Sequence, residues 1–262
     1  ALALHGVGAS IGDAISPLCI GALLVVTSWR HLAQWTMAPA VILGLIIWIS
    51  TRRIFAGESN RMDLNAYLDG LTDLIAHPSV FLVMGASSLV GMARLSTVTF
   101  LPIYLVEAKG FSSVGLGFHW MLLYAMGAVS QPLMGVISDR FSRKTVLLPS
   151  FAMMAILYFL LPLASKGIGL IVVIGVMGAF FYGTGNIATA AVLDVASRRI
   201  QGTANSIMSL FQQLITLPSP IVAGFIVTEL GLSSVFYFCA SLLSVATLAW
   251  VFIRVNPTVN SQ

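Results

Sequence analysis

Eight apolar segments, each long enough to cross a lipid bilayer, make up most of this chain, and short polar connections separate them. A bilayer core about 30 Å thick needs about 20 apolar residues in helical conformation. Lipid offers no hydrogen-bond partner, so each segment must be a helix that satisfies its own backbone groups. The sequence therefore predicts an all-α polytopic membrane protein with eight transmembrane helices, at about 1–27, 32–51, 79–105, 113–138, 145–164, 167–191, 203–228 and 232–254.

Composition excludes a soluble globular domain. Hydrophobic residues are 58% of the chain and charged residues are 8%, whereas soluble domains have about 45–50% and about 25%. The net charge of +4 comes mostly from the connections, so it indicates topology and gives no sign of a nucleic-acid partner. Cys19 and Cys239 lie inside apolar segments, where a free thiol behaves as a small hydrophobic group. No cofactor is expected.

The cationic residues alternate between successive connections. Short loops that are rich in Lys and Arg stay in the cytoplasm. The alternation predicts that the first residue and the C-terminal tail, 256–262, both face the cytoplasm of a cell membrane, such as the inner membrane of a bacterium. One set of connections contains Arg52, Arg53, Arg61, Arg140, Arg143, Lys144, Arg198, Arg199 and Arg254, and the alternate set contains Arg30, Lys109 and Lys166.

One of these connections follows a recognisable pattern. The segment GVISDRFSRK, residues 135–144, matches G-x-x-x-D-R-x-G-R-R/K, except that Ser142 stands where the pattern has its second Gly. With long apolar segments on both sides, it resembles the loop signature of the major facilitator superfamily of secondary transporters. The resemblance implies a cytoplasmic gate loop that contains Gly135, Asp139, Arg140, Arg143 and Lys144.

The resemblance covers the whole chain as the family's helices 5 to 12. It implies that residues 1–51 are the last two helices of the N-terminal half, that 52–78 is a cytoplasmic amphipathic linker, and that 79–255 form the C-terminal six-helix bundle. Helices 1 to 4 of the same transporter are then expected partners of this chain. In this family the cavity lies between two halves that rock between inward- and outward-open states, and Asp139 and Arg140 would form a latch against the start of helix 5.

The first span has a face of small residues. Gly8 and Gly12 form a G-x-x-x-G pair, and Pro17 and Gly21 follow in the same span. Small side chains allow another helix to approach closely, and proline bends a helix because it lacks a backbone donor. The segment resembles the family's helix-5 antiporter motif G-x-x-x-G-P-x-x-G-G, with Ser16 in place of a Gly. This resemblance implies exchange of the substrate against an ion such as the proton.

Two ionisable residues, Arg94 and Asp13, lie deep in apolar segments. A charge at the centre of a membrane helix costs about 2.5–3.5 kcal/mol on insertion scales, so neither side chain is expected to face lipid. Arg94 is a candidate receptor for a substrate carboxylate or phosphonate, or a switchable partner of Asp13. A permanent ion pair or backbone contacts inside the bundle are the structural alternative. Asp13 is either a proton carrier or a packing partner.

Other polar residues of the spans are candidates for a substrate or proton pathway. His5 and His119 could relay protons, although a single buried histidine is more often a hydrogen-bonded structural residue. Glycines in the sixth span indicate either a helix that bends near a ligand or close helix packing. The remaining pathway candidates are Tyr104, Tyr124, Tyr182, Asn186, Gln212 and Gln213, and the glycines are Gly175, Gly178, Gly183 and Gly185.

The leading functional hypothesis is a secondary transporter that works by alternating access, with proton-coupled efflux of a drug or an organic anion. Arg94 favours an anion, and uptake of an organic anion by symport is the nearest alternative. An enzyme is not expected, because the chain has no H-E-x-x-H and no G-x-S-x-G elbow after a strand. A membrane-embedded haem enzyme would need His5 and His119 as facing ligands, and a non-transporting scaffold is the third alternative.

Overall fold

The computed structural model describes residues 2–51, 78–195 and 201–252, and every regular element in these ranges is a helix. The predicted all-α fold is therefore confirmed. A five-residue π-helix, Tyr104–Ala108, continues the third of the α-helices. The ten α-helices of the described ranges are α1 (Leu2–Leu23), α2 (Trp29–Thr51), α3 (Pro78–Ile103), α4 (Ser113–Arg140), α5 (Arg143–Leu163), α6 (Ile168–Phe181), α7 (Gly183–Val195), α8 (Gln201–Thr216), α9 (Ser219–Leu230) and α10 (Ser234–Phe252).

Seven helical stretches of the described residues are long and apolar enough to cross a membrane. They coincide with seven of the eight predicted spans, and α1, which is 22 residues long, lies at the position of the first. The chain is thus a multi-pass membrane protein. The predicted linker up to residue 77 and the tail at 256–262 lie outside the described residues. The seven stretches are Trp29–Thr51, Phe81–Ala108, Ser113–Arg140, Arg143–Leu163, Ile168–Ala191, Met208–Leu230 and Ser234–Phe252.

Two of the predicted spans are each formed by two helices. The sixth divides at Tyr182 into α6 and α7, and the seventh divides just before Ser219 into α8 and α9. Pro218 and Pro220 flank Ser219, and proline has no N–H for the backbone bond of a continuous helix. The hydrophobic pattern does not reveal such breaks, because the residues on both sides of each break remain apolar.

The described bundle has its core where α3, α5 and α10 meet. Thr97 of α3 lies 2.6 Å from the hydroxyl of Tyr158 in α5, and Cys239 of α10 donates to the carbonyl of Ala93 in α3 over 3.5 Å. Tyr158 and Cys239 are fully buried. Because an unpaired polar group in an apolar interior is destabilising, these bonds fix how the three helices fit together.

The lysines at three connections tie neighbouring helix ends together. Nζ of Lys109, after the π-helix, donates to the carbonyl of Ala164 over 2.6 Å, and Nζ of Lys166 donates to the carbonyl of Gly110 over 2.8 Å. Nζ of Lys144, at the other end of α4, donates over 2.7 Å to a carbonyl in the last turn of α10. Successive connections therefore lie at opposite ends of the bundle, as the alternation predicts. Which of the two ends faces the cytoplasm stays a prediction.

Candidate functional site

A polar cavity of about 210 Å³ lies between α3, α7 and α8, and we call it the Arg94 cavity. Ser87, Gly91 and Arg94 share one face of α3, because residues three or four apart on a helix lie one above another. Three of the predicted pathway residues, Arg94, Asn186 and Gln212, meet here although they come from three different helices. The lining consists of Ser87, Val90, Gly91, Arg94, Phe151, Phe181, Thr184, Gly185, Asn186, Ala188, Thr189, Met208 and Gln212.

Arg94 is half-buried and lines this cavity. Its Cζ lies 4.2 Å from the ring centroid of Tyr182 and 5.3 Å from that of Phe181. The ring faces attract the cation, since an aromatic π-system is electron-rich on its face. In the described part of the chain, no carboxylate lies within salt-bridge distance of Arg94, so the predicted ion pair with Asp13 is not formed in this conformation.

Several polar groups line the Arg94 cavity together with the guanidinium. Nε2 of Gln212 donates to the carbonyl of Ser87 over 3.3 Å, which orients the amide. The hydroxyls of Thr184 and Thr189 donate to carbonyls one turn earlier, over 3.0 and 3.1 Å. Ser87 is 4% exposed, and its Oγ has no hydrogen-bond partner among the described residues. A buried hydroxyl without a partner, in the wall of a cavity, is a group that a ligand can satisfy.

A second cavity, of about 340 Å³, lies between α1 and α4, and we call it the Asp13 cavity. Asp13 and Ser16 line it from α1, while Trp120 and Tyr124 line it from α4. Its wall is otherwise largely apolar. Asp13 is exposed, and within the described ranges no basic side chain lies within salt-bridge distance of its carboxylate. The Asp13 cavity thus places one carboxylate close to two aromatic rings.

Three aromatic rings connect the walls of the two cavities, and we call Trp120, Tyr124 and Tyr182 the aromatic column. The ring centroids of Trp120 and Tyr124 are 5.9 Å apart, and those of Tyr124 and Tyr182 are 4.9 Å apart. Offset or tilted pairs at these separations are attractive. The column therefore leads from the Asp13 cavity to the ring that contacts Arg94.

Three of the other predicted pathway residues, His119, Tyr104 and Gln213, line neither of these two cavities. His119 is 3% exposed, packs on Phe111 with ring centroids 4.4 Å apart, and has its Nδ1 2.8 Å from a carbonyl of its own helix. Tyr104 is 2% exposed and belongs to the core. Gln213 is exposed. The side chain of His5 lies outside the described residues, so its predicted roles stay predictions.

The predicted gate loop forms its own hydrogen bonds. Asp139 and Arg143, one helical turn apart, form a salt bridge, and Nη1 of Arg143 also donates to Oγ of Ser138 over 3.1 Å. Oγ of Ser142 accepts from the backbone N–H of Thr145 over 3.1 Å. Ser142 is therefore the N-cap of α5, which gives a physical reason for serine where the pattern has glycine. The contact of this loop with the start of α1 stays a prediction, because the side chains there are not described.

The small residues of α1 lie against α4. A Cβ at Gly21 would lie 2.5 Å from the carbonyl oxygen of Ser113, and a Cβ at Gly117 would lie 2.7 Å from the carbonyl oxygen of Pro17. The two backbones are thus close enough that only glycine fits at both positions. Gly12 has open space around it, and the surroundings of Gly8 are outside the described residues.

Residues 116–262, more than half of the chain, match one family model, described as the Major Facilitator Superfamily. The chain belongs to the Major Facilitator Superfamily. The family resemblance of the gate-loop sequence, GVISDRFSRK, is thereby confirmed. The range that the family model matches contains the gate loop and part of the lining of both cavities.

Three relatives from the Major Facilitator Superfamily have curated names. The "Probable sulfoacetate transporter SauU" of Cupriavidus necator is 29% identical over 175 residues, 63% of this chain and 40% of the relative. "Multidrug resistance protein MdtG" of Salmonella paratyphi A is 29% identical over 176 residues, 64% of this chain and 43% of the relative. The "Hexuronate transporter" of Bacillus subtilis is 24% identical over 277 residues, 94% of this chain and 63% of the relative.

One solved structure of a bacterial homologue of the human lysosomal transporter Spinster, inward-facing and unoccupied, has a similar fold. It superimposes with a TM-score of 0.53 at 16% identity, over 94% of this chain and 63% of that chain. The present chain thus spans between 40% and 63% of the length of these superfamily proteins.

Several residues that line the two cavities were not predicted from the sequence. Ser87 precedes Arg94 by two helical turns, so extending the face of Arg94 along its helix would have identified it. Trp120 precedes Tyr124 by one turn and could have been found in the same way. Thr184 and Thr189 gave no signal, because their helix begins only after the break at the sixth span.

Proposed function

We propose that this protein is a secondary transporter for a small organic anion and that Arg94 is its anion receptor. The observation that carries the proposal is a half-buried guanidinium in a polar cavity, with no carboxylate within salt-bridge distance among the side chains that the structure describes. A charge inside a membrane protein is expensive unless a partner balances it. The aromatic rings of Tyr182 and Phe181 provide part of that balance, and a bound anion would provide the rest.

The lining of the Arg94 cavity suits a carboxylate or sulfonate. Guanidinium binds such groups through two parallel N–H donors, and bonds of this charge-assisted kind are stronger than neutral ones. The Ser87 hydroxyl is a further donor without a partner among the described residues. At about 30 Å³ per molecule, 210 Å³ holds about seven waters, which limits the substrate to a small molecule.

The names of two relatives support an anionic substrate. Sulfoacetate carries a sulfonate and a carboxylate, and a hexuronate carries a carboxylate. Both are small, polar anions of the kind that the Arg94 cavity would accept. Sulfoacetate and glucuronate are therefore the first probes to use with this protein.

The proposed coupling is export of the anion in exchange for protons, with Asp13 as the proton carrier. Support comes from the position of Asp13, whose carboxylate lies in a membrane span and lines a largely apolar cavity, with no basic partner among the side chains that the structure describes. Uptake by symport is the alternative. In liposomes loaded with labelled sulfoacetate or glucuronate, an inward proton gradient should accelerate efflux, whereas acceleration of uptake by the same gradient would establish symport.

The anion receptor is tested by replacing Arg94 in the reconstituted protein. Arg94→Gln should weaken binding of the transported anion about 10- to 150-fold, because one charge-assisted hydrogen-bonded contact is worth about 1.5–3 kcal/mol. Arg94→Lys should retain an intermediate affinity, since it keeps the charge and loses the paired donors. Arg30→Gln is the matched control, because Arg30 also lies over an aromatic ring, at 4.5 Å from Trp29, but is exposed and lines neither cavity.

Membrane insertion of each variant is measured alongside its transport. If Arg94→Gln inserts normally and transports the anion with unchanged affinity, the proposed receptor is wrong. If it fails to insert while Arg94→Lys inserts, the positive charge at position 94 has a structural role in the bundle.

A second candidate function is efflux of an apolar, drug-like molecule through the Asp13 cavity. The specific observation that favours it is a larger, mainly apolar cavity with Trp120 and Tyr124 in its wall. The name of the MdtG relative supports the same alternative. Trp120→Ala would then reduce transport of an uncharged lipophilic probe such as Nile red, while Arg94→Gln would leave it unchanged.

A further inference from the structure

We propose that Tyr182 is the positioning residue of the anion site, that its ring holds the Arg94 guanidinium at the cavity wall, and that Tyr124 holds Tyr182. The inference rests on the proposed function in so far as Arg94 binds an anion. Tyr182 itself does not line the Arg94 cavity, whereas Arg94 does. Tyr182 therefore acts on a ligand only through Arg94.

A free arginine side chain has many rotamers, and fixing it costs up to about 2 kcal/mol of conformational entropy. A receptor arginine that is already held in place avoids most of this cost when the anion binds. The contact between Cζ of Arg94 and the ring of Tyr182, at 4.2 Å, attracts the positive charge through the face of the ring. Such a contact positions the guanidinium and leaves N–H groups at its edge for an anion.

The ring of Tyr182 is itself held from two sides. Its centroid lies 4.9 Å from that of Tyr124, which lines the Asp13 cavity. On another side, a Cβ at Gly127 would lie 2.8 Å from Cδ2 of Tyr182, so the absence of a side chain at Gly127 makes room for the ring. Tyr182 also lies at the junction of α6 and α7, where its backbone keeps helical dihedral angles, φ −101° and ψ −36°. The contacts with Tyr124 and Gly127 therefore act together with the helical backbone to fix the position of the ring.

Binding of sulfoacetate and glucuronate to the purified protein tests the role of the ring. Tyr182→Leu should raise the Kd about 5- to 30-fold, which is the range that loss of a desolvated cation–π contact gives. The maximal transport rate should stay within about twofold of that of the unchanged protein. Tyr182→Phe retains a ring face and should stay within about threefold of the unchanged protein. Tyr124→Leu, which removes only the support, should raise the Kd about two- to fivefold. Tyr237→Leu is the control, because Tyr237 is an aromatic residue of α10 that lines neither cavity.

A second measurement needs no substrate. Phenylglyoxal modifies arginine, and mass spectrometry of the peptide that contains Arg94 gives the rate at this residue. A guanidinium released from its ring should react severalfold faster in Tyr182→Leu than in Tyr182→Phe or Tyr237→Leu. Tyr124→Leu should give an intermediate rate, and this variant also serves if Tyr182→Leu does not fold.

The outcomes separate this inference from the proposed function. Equal Kd values and equal modification rates in Tyr182→Leu and the unchanged protein would overturn the positioning role. A loss in Tyr182→Phe as large as that in Tyr182→Leu would also overturn it, because the hydroxyl and not the ring would then be responsible. If Arg94→Gln binds the anions normally while Tyr182→Leu accelerates modification of Arg94, the receptor assignment fails and the contact between Tyr182 and Arg94 stands.

Discussion

The substitution Gly178→Ala measures how much of the helix packing depends on one missing side chain. Gly178 lies in α6 against α4, and a Cβ added there would lie 2.9 Å from both Cα and the carbonyl carbon of Leu123, and closer still to its oxygen. These are backbone atoms, so no side-chain rotation can relieve the overlap. The two helices would have to move apart.

The expected effect follows from these distances. Carbon atoms in contact are normally about 3.5–4.0 Å apart, so α4 and α6 would separate by about 0.6–1.1 Å, and a gap of that size removes about a quarter to a half of the dispersion attraction. Overpacking of this kind destabilises by about 1–3 kcal/mol. Alanine regains about 0.5–1 kcal/mol over glycine within a helix. The net loss is up to about 2.5 kcal/mol, with a midpoint of about 1.3 kcal/mol, which lowers the melting temperature by up to about 10 °C.

Thermal unfolding of the detergent-solubilised protein, followed by intrinsic fluorescence, is the assay. Gly175→Ala is the matched control in the same helix, because a Cβ there would lie 3.6 Å from Cδ2 of Leu122, an ordinary contact. The control should melt at the normal temperature or slightly above it, owing to the helix propensity of alanine. If Gly178→Ala melts at or above the temperature of Gly175→Ala, the close backbone contact of α4 and α6 does not exist as described.

Two further substitutions probe other parts of the molecule. Thr97→Val leaves the buried hydroxyl of Tyr158 without its partner at 2.6 Å and should destabilise the protein by about 1–3 kcal/mol in the same melting assay. The double variant with Tyr158→Phe should recover part of this loss. If the losses of the two single variants simply add, the hydroxyl pair does not exist as described. Asp139→Asn breaks the salt bridge with Arg143 and should slow turnover in liposomes without changing the relative rates for sulfoacetate and glucuronate. Because Asp139 is exposed, stability should change by less than about 1 kcal/mol, and an altered substrate preference would count against a latch.

The sequence by itself determined the membrane class, the positions of the spans and the alternation of the connections. These properties are local, because each span needs only about 20 apolar residues and each loop only its own charges. The GVISDRFSRK loop was enough to indicate the superfamily that the family match then established. The Asp13 and Arg94 candidates also followed locally, since an ionisable residue in an apolar run is expensive wherever it points.

Only the tertiary structure decided which polar residues meet. Arg94, Asn186 and Gln212 line one cavity while Asp13 and Tyr124 line another, and no periodicity of a single span contains that division. The glycines of the sixth span likewise separate into Gly178, which admits the neighbouring backbone, Gly183, which lies against the side chain of Met134, and Gly175 and Gly185, which have looser surroundings. The physical reason is that lipid tails are as apolar as leucine, so hydrophobicity does not distinguish a face that meets lipid from a face that meets another helix, and shape and polar contacts between helices decide instead.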